Sequence, residues 1–249
     1  KYVKEWSHID NAYRNFKTQV RGCLNINSDM EALSDKVEAS YVTNFLIPLG
    51  EKWTPYAKEM LEKGWRTDGN IQRQSIFYHY NIKNLQIRGN KAVVLISDAM
   101  CYEIGDELVS EINSQQRYKA SIQPLLASAP TYTQLGMAAL LPHETLTISP
   151  DGAAVYADGI STQGIVNREK ILKNAADGKA VALDSDDVLK MKSDDLRTII
   201  KDNSVIYFVL FVQFFVAFFI SFSVNSYTYT TTAMRIPSRK ASMQCSGRS

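Results

Sequence analysis

The chain of 249 residues holds only three cysteines, Cys23, Cys101 and Cys245. They stand far apart, are odd in number and form no CxxC, which excludes a disulfide scaffold and a zinc knuckle and suits reduced thiols. Glycine (12) and proline (7) are too few for a collagen-like repeat. One-signed charge is also missing: the net is +2, which gives no electrostatic case for nucleic-acid binding. The first residues, Lys1-Tyr2-Val3-Lys4-Glu5-Trp6, carry no signal-peptide pattern and no initiator Met, as expected of a segment that starts inside a larger protein. What is present is a 45% apolar chain, enough for one large domain or two small ones and too apolar for wholesale disorder.

Composition is uneven. From Asn203 to Ser249 there is no Asp or Glu, and the basic residues are Arg235, Arg239, Lys240 and Arg248, which leaves 24 basic and 26 acidic residues before them. Seven of the ten phenylalanines fall between Phe208 and Phe222. Val205 to Val224 is apolar except for Gln213, Ser221 and Ser223, the hydropathy of a transmembrane candidate.

Residues 1–65 read as helical. Ile9, Tyr13, Phe16 and Val20 form one stripe; Val37, Tyr41, Phe45 and Leu49 form another, with Pro48 and Gly50 punctuating its end. Ser28 with Glu31 reads as a capping box. Trp53, Tyr56, Leu61 and Trp65 offer either core packing or a binding groove. Residues 66–90 are polar and mixed. Val93 to Ile96 then read as a short strand buried on both faces, as in a parallel sheet. Helical readings over 102–116, 134–141, 168–176 and 186–192 alternate with apolar runs at 123–129, Val155 and 181–183. This predicts an α/β fold with helices on both faces of the sheet.

Asp98 directly follows the best strand, where open α/β sheets bind ligands, so it reads as a metal ligand or as a helix cap. Thr133 lies at or near a helix start, where it reads as a cap, as an anion contact, or as a nucleophile activated by a metal. Gly136, inside that helix, predicts close backbone approach by a neighbouring element. His143 reads as a ligand or a surface residue, and Asp158-Gly159 as a turn.

Together these residues resemble a known family. Val94-Leu95-Ile96-Ser97-Asp98-Ala99 with Tyr102-Glu103 is similar to the "ISDALRYE" motif of the PglZ family. Pro130 to Pro142 resembles its most distinctive stretch, and Asp158-Gly159, Ser161-Thr162, Gly164, Arg168 and Ile171-Leu172 resemble the block that follows. Trp6, Ile9-Asp10 and Tyr13-Arg14 resemble its helical lead-in. The resemblance spans residues 1–206, with Cys101 where the motif has Arg.

The resemblance implies an alkaline-phosphatase-like sheet with helices on both faces, with a helical lead-in (1–90), a partial PglZ domain (91–206) and an aberrant or hydrophobic tail (207–249). It implies a metal-dependent phosphatase or phosphodiesterase of BREX phage defence, with Asp98 as metal ligand and Thr133 as both metal ligand and nucleophile. The cofactors implied are divalent metal ions, zinc above all, in a two-metal site of the complete domain. The partners implied are a DNA methyltransferase, ATPases and a DNA or other phosphoester substrate. After Tyr207 a "His-Asn-x-Ile-Asp" continuation is expected and Phe208-Val209-Leu210-Phe211 stands instead. The C-terminal part of the core and its further ligands are therefore expected to be missing, and the chain by itself to be inactive. A frame-shifted tail on a cytoplasmic fragment and a membrane anchor through residues 205–224 are the two readings of that end. A non-catalytic scaffold of the BREX assembly is the alternative at the level of function.

Overall fold

The computed structural model describes residues 1–23, 27–65, 71–98, 100–115 and 119–210. A π-turned segment, Tyr2–Trp6, leads into α1 (Ser7–Gly22), followed by α2 (Ser28–Tyr41). The expected stripes bring Tyr13 and Tyr41 into a stack, their rings 3.9 Å apart and 3° from parallel. The cap of α2 is not Ser28 but Asn27, whose extended backbone lets Oδ1 accept from the Met30 amide at 2.9 Å. Nor do Pro48 and Gly50 end the helix. A π-turned stretch, Val42–Leu46, joins α2 to α3 (Ile47–Glu62), and the Ile47 amide donates to the Val42 carbonyl one residue before Pro48. The wider turn and the first-turn position of Pro48 absorb the donor that proline lacks. No side chain of α3 is buried, and Tyr56 is 63% exposed, so Trp53, Tyr56 and Leu61 are not core.

The mixed stretch that follows is ordered by burial. β1 (Gln72–Arg73) precedes a 3₁₀ turn, Gln74–Ile76, a π-turned segment, Tyr78–Lys83, and α4 (Asn84–Ile87). Together they put Phe77, Tyr78 and Ile82 into the main core. Then come β2 (Ala92–Ser97), α5 (Tyr102–Ser114), β3 (Leu125–Leu126), α6 (Thr133–Ala139), β4 (Leu146–Ile148), β5 (Val155–Ala157), β6 (Ile160–Ser161), α7 (Gly164–Ala175), β7 (Ala180–Asp184), α8 (Ser185–Lys190), α9 (Ser193–Asp202) and β8 (Val205–Leu210).

The principal sheet is parallel, in the order β2-β8-β7, with Ala92 and Ala180 both opposite Val205. The last of the described strands is therefore the central one, and Val205, Ile206, Tyr207 and Val209 are almost wholly buried. Among the described strands β2 lies at an edge, and its burial alternates instead of holding on both faces. Ala92, Val94 and Ile96 share the core with Ile171 and Leu172 of α7, whereas Val93 is 49% and Leu95 63% exposed. β1 and β3 make a short parallel pair. β4, β5 and β6 form an antiparallel meander. Its β5–β6 link is the expected Asp158-Gly159 turn, with both residues at positive φ (49° and 79°) as a type I′ hairpin requires.

Among the described residues no helix is long and apolar enough to cross a membrane. Of the apolar run 205–224, residues 205–210 form β8, and 211–224 lie outside the described residues.

Candidate active site

The carboxyl end of β2 delivers Asp98, half-buried, into a turn. Across from it, α6 begins at Thr133, with Tyr132 as the extended residue before the first turn. The capping alternative for Thr133 is not realised, because Tyr132 holds the cap position of α6. The residue before α5 is Cys101, and neither Cys101 nor Tyr132 makes a side-chain cap bond. The Thr133 hydroxyl instead donates to Asp98 Oδ2 at 3.4 Å. That is long for an O–H···O bond. It is also close to the separation of two oxygens that share one tetrahedral cation, since ligands at about 2.0–2.2 Å lie roughly 3.3–3.6 Å apart. The pair thus has the spacing and the chemistry of two hard-cation ligands.

A cavity of about 60 Å³ opens between the two residues. Gln74, Ser97, Ser128, Thr131 and Tyr132 also line it, and among the described residues no basic side chain does. The loop that leads to Thr133 is held from two sides. Trp65 Nε1 donates to the Ala127 carbonyl at 2.6 Å, and the Ser128 amide donates to Gln74 Oε1 at 3.2 Å. The element that approaches Gly136 is the Gln74 side chain: a Cβ there would meet Gln74 Nε2 at 3.6 Å, an ordinary contact. The buried Tyr132 hydroxyl has no hydrogen-bond partner among the described residues. No group of three or more His, Cys, Asp or Glu that could hold a metal occurs among them.

Two other candidates serve the frame. His143 is half-buried, its Nδ1 2.7 Å from the Leu141 carbonyl, and is not part of the cavity lining. Asp158 accepts from the backbone of Thr145 at 2.8 Å and of Glu144, and from the Thr145 hydroxyl. These bonds, the Thr145 amide foremost, hold its carboxyl below the usual range.

The helical N-terminus packs against α5. Arg14 pairs with Glu107 and lies 3.8 Å from Glu103, and Asn15 donates to Glu107 at 3.2 Å. Asp10 accepts from the Tyr2 and Tyr41 hydroxyls. Burial pushes the Asp10 and Glu103 carboxyls up, and lifts the Cys101 thiol to about 12 with help from Glu103 and Asp10. Sequence reasoning missed this network and Gln74. The network joins residues distant in sequence, and Gln74 sits in a polar stretch without periodicity.

Residues 77–211 match the model of the BREX system PglZ alkaline phosphatase-like domain. The chain is 39% identical over 216 residues to "Alkaline phosphatase-like protein BrxZ" of Escherichia coli O9:H4 (strain HS), covering 83% of this chain and 24% of that protein. It is 29% identical over 207 residues to "Alkaline phosphatase-like protein PglZ" of Bacillus cereus (strain H3081.97), with the same shares. The chain thus spans about a quarter of the length of these curated relatives. With Asp98 and Thr133 facing each other at the end of β2, and with the matched segment running from Phe77 into the central strand, the chain belongs to the PglZ family of alkaline-phosphatase-like proteins.

Proposed function

We propose that Asp98 and Thr133 are the metal-ligand and nucleophile pair of a phosphoester-hydrolysing site that works in BREX phage defence, beside a DNA methyltransferase and ATPases. The observation that carries this reading is the Thr133 hydroxyl, unused for capping and directed at Asp98 Oδ2 from the first turn of α6. Divalent metal ions, zinc foremost, would be held in part by Asp98 and Thr133, and would supply charge stabilisation and a lowered pKa for bound hydroxyl groups. Thr133 Oγ1, its proton given up to solvent, attacks phosphorus. The ester oxygen departs with the bonding pair and takes up a proton, leaving a phosphothreonine. A water oxygen then displaces Thr133 Oγ1, which recovers a proton, and phosphate or a phosphomonoester is released. The first-turn amides of α6 favour the negative charge that develops beside them.

The test uses a polypeptide of the relatives' full length that carries this segment, with bis(p-nitrophenyl) phosphate and zinc or manganese. Thr133→Ala and Asp98→Ala are each expected to lower turnover at least ~1000-fold, the range for loss of a catalytic nucleophile. The 249-residue chain alone is expected to be silent. Full activity in both variants refutes the assignment. A non-catalytic scaffold is the second reading. It predicts no metal-dependent turnover in any of these proteins.

A further inference from the structure

Gln74 lies three residues before the segment that matches the family model, yet it is 4% exposed and lines the same cavity as Asp98 and Thr133. Its backbone is fixed where β1 ends, and β1 pairs in parallel with β3, the strand that opens the loop to Thr133. Its carboxamide spans two elements. Oε1 accepts from the Ser128 amide at 3.2 Å, and Nε2 sits 3.6 Å from where a Cβ on Gly136 would stand, one turn into α6. The carboxamide thus packs at contact distance from the α6 backbone at Gly136.

We propose that Gln74 is a positioning residue, a clamp between the 127–132 loop and α6 that fixes the Thr133 hydroxyl against Asp98. The proposal rests on the reading of Asp98 and Thr133 given above. A buried carboxamide is suited to this task. It is neutral, so it adds no charge beside Asp98, and its planar end carries acceptor and donor on opposite sides. An offset of about 1 Å in a reacting group can cost on the order of a hundredfold in rate. A clamp of this kind therefore acts on kcat and leaves binding of the ester nearly unchanged.

Two arms test it. In the 249-residue chain, hydrogen exchange is followed at the Ser128 amide and across Thr133–Ala139 for wild type, Gln74→Ala, Gln74→Met and Gln74→Glu. Methionine fills the space and accepts no strong bond, whereas glutamate keeps the acceptor. Gln74→Ala and Gln74→Met are expected to speed exchange at Ser128 at least tenfold, and Gln74→Glu to restore protection. In the full-length polypeptide, Gln74→Met is expected to keep KM within about threefold and to lose kcat at least tenfold per folded molecule. A residue that only supported the fold would lower the melting temperature and leave kcat per folded molecule unchanged, and that result overturns the proposal. So does unchanged Ser128 exchange in Gln74→Met. Absence of turnover by the wild-type polypeptide sinks the hydrolase reading instead, and the clamp is then judged on exchange alone.

Discussion

Tyr207→Phe isolates one atom at the centre of the molecule. Tyr207 is 1% exposed on the central strand, and its hydroxyl donates to the Leu140 carbonyl, just past α6, at 2.8 Å. Phenylalanine keeps the ring and its packing, removes the donor and strands that carbonyl in a dry interior. The net worth of such a bond is about 1 kcal/mol, and an unsatisfied buried partner raises the loss to about 1–3 kcal/mol. For a domain of this size each kcal/mol lowers Tm by roughly 2–4 °C, so a loss of about 2 kcal/mol is a fall of roughly 4–8 °C. Urea unfolding followed by tryptophan fluorescence reads the change as a lower midpoint at constant slope. The penalty also depends on pH. Burial raises the Tyr207 phenol well above its ordinary value, so the neutral form is favoured in the fold. That stabilisation is full below about pH 10 and is lost as the pH rises beyond it, where the unfolded tyrosine ionises. The gap between wild type and variant therefore narrows above about pH 10. An unchanged or higher midpoint at neutral pH refutes the reasoning.

Two further outcomes follow from charges elsewhere. Glu103 is buried with its carboxyl pushed up, first by burial and then by Asp10, so it stabilises the α1–α5 contact fully below the ordinary carboxyl range of about 4.3 and progressively less as pH rises through its folded value. Glu103→Gln removes that dependence, and thermal melts are expected to show the variant gaining on wild type between pH 4.5 and 7.5; a difference that stays constant with pH contradicts this. Lys91 Nζ donates to the carbonyls of Ile200, Lys201 and Asn203 at 2.5, 2.6 and 2.8 Å, closing the end of α9. Lys91→Met is expected to cost about 1 kcal/mol and to speed amide exchange in α9; unchanged exchange there counts against the cap.

Local signals in the sequence carried much of this architecture. The helix periods of α1, α2 and α5, the Asp158-Gly159 hairpin and the strand before Asp98 are each written within a dozen residues. Errors arose where a neighbour far along the chain decides. Val93 and Leu95 are as apolar as a doubly buried strand requires, but among the described strands β2 ends up at an edge because β8 takes the centre. Pro48 and Gly50 look like breakers, yet the π-turn ahead of them carries the helix on. The placement of Asp98 after a strand and of Thr133 at a helix start was legible, because both are set by local sequence. Gln74 was not, because its role comes from Ser128 and Gly136, which only the fold brings to it.

The placement of β8 has a consequence for how the molecule is made. Among the described strands β2 and β7 are not paired with each other; each pairs with β8. As the chain leaves the ribosome, Asp98 and Thr133 are synthesised long before the strand that locks their scaffold together. Closing a loop of that length costs entropy before any contact rewards it, so the sheet forms late and cooperatively. Until Val205–Leu210 arrive, the apolar edges of β2 and β7 are open to the wrong partner, which makes the nascent chain a natural client for holding chaperones.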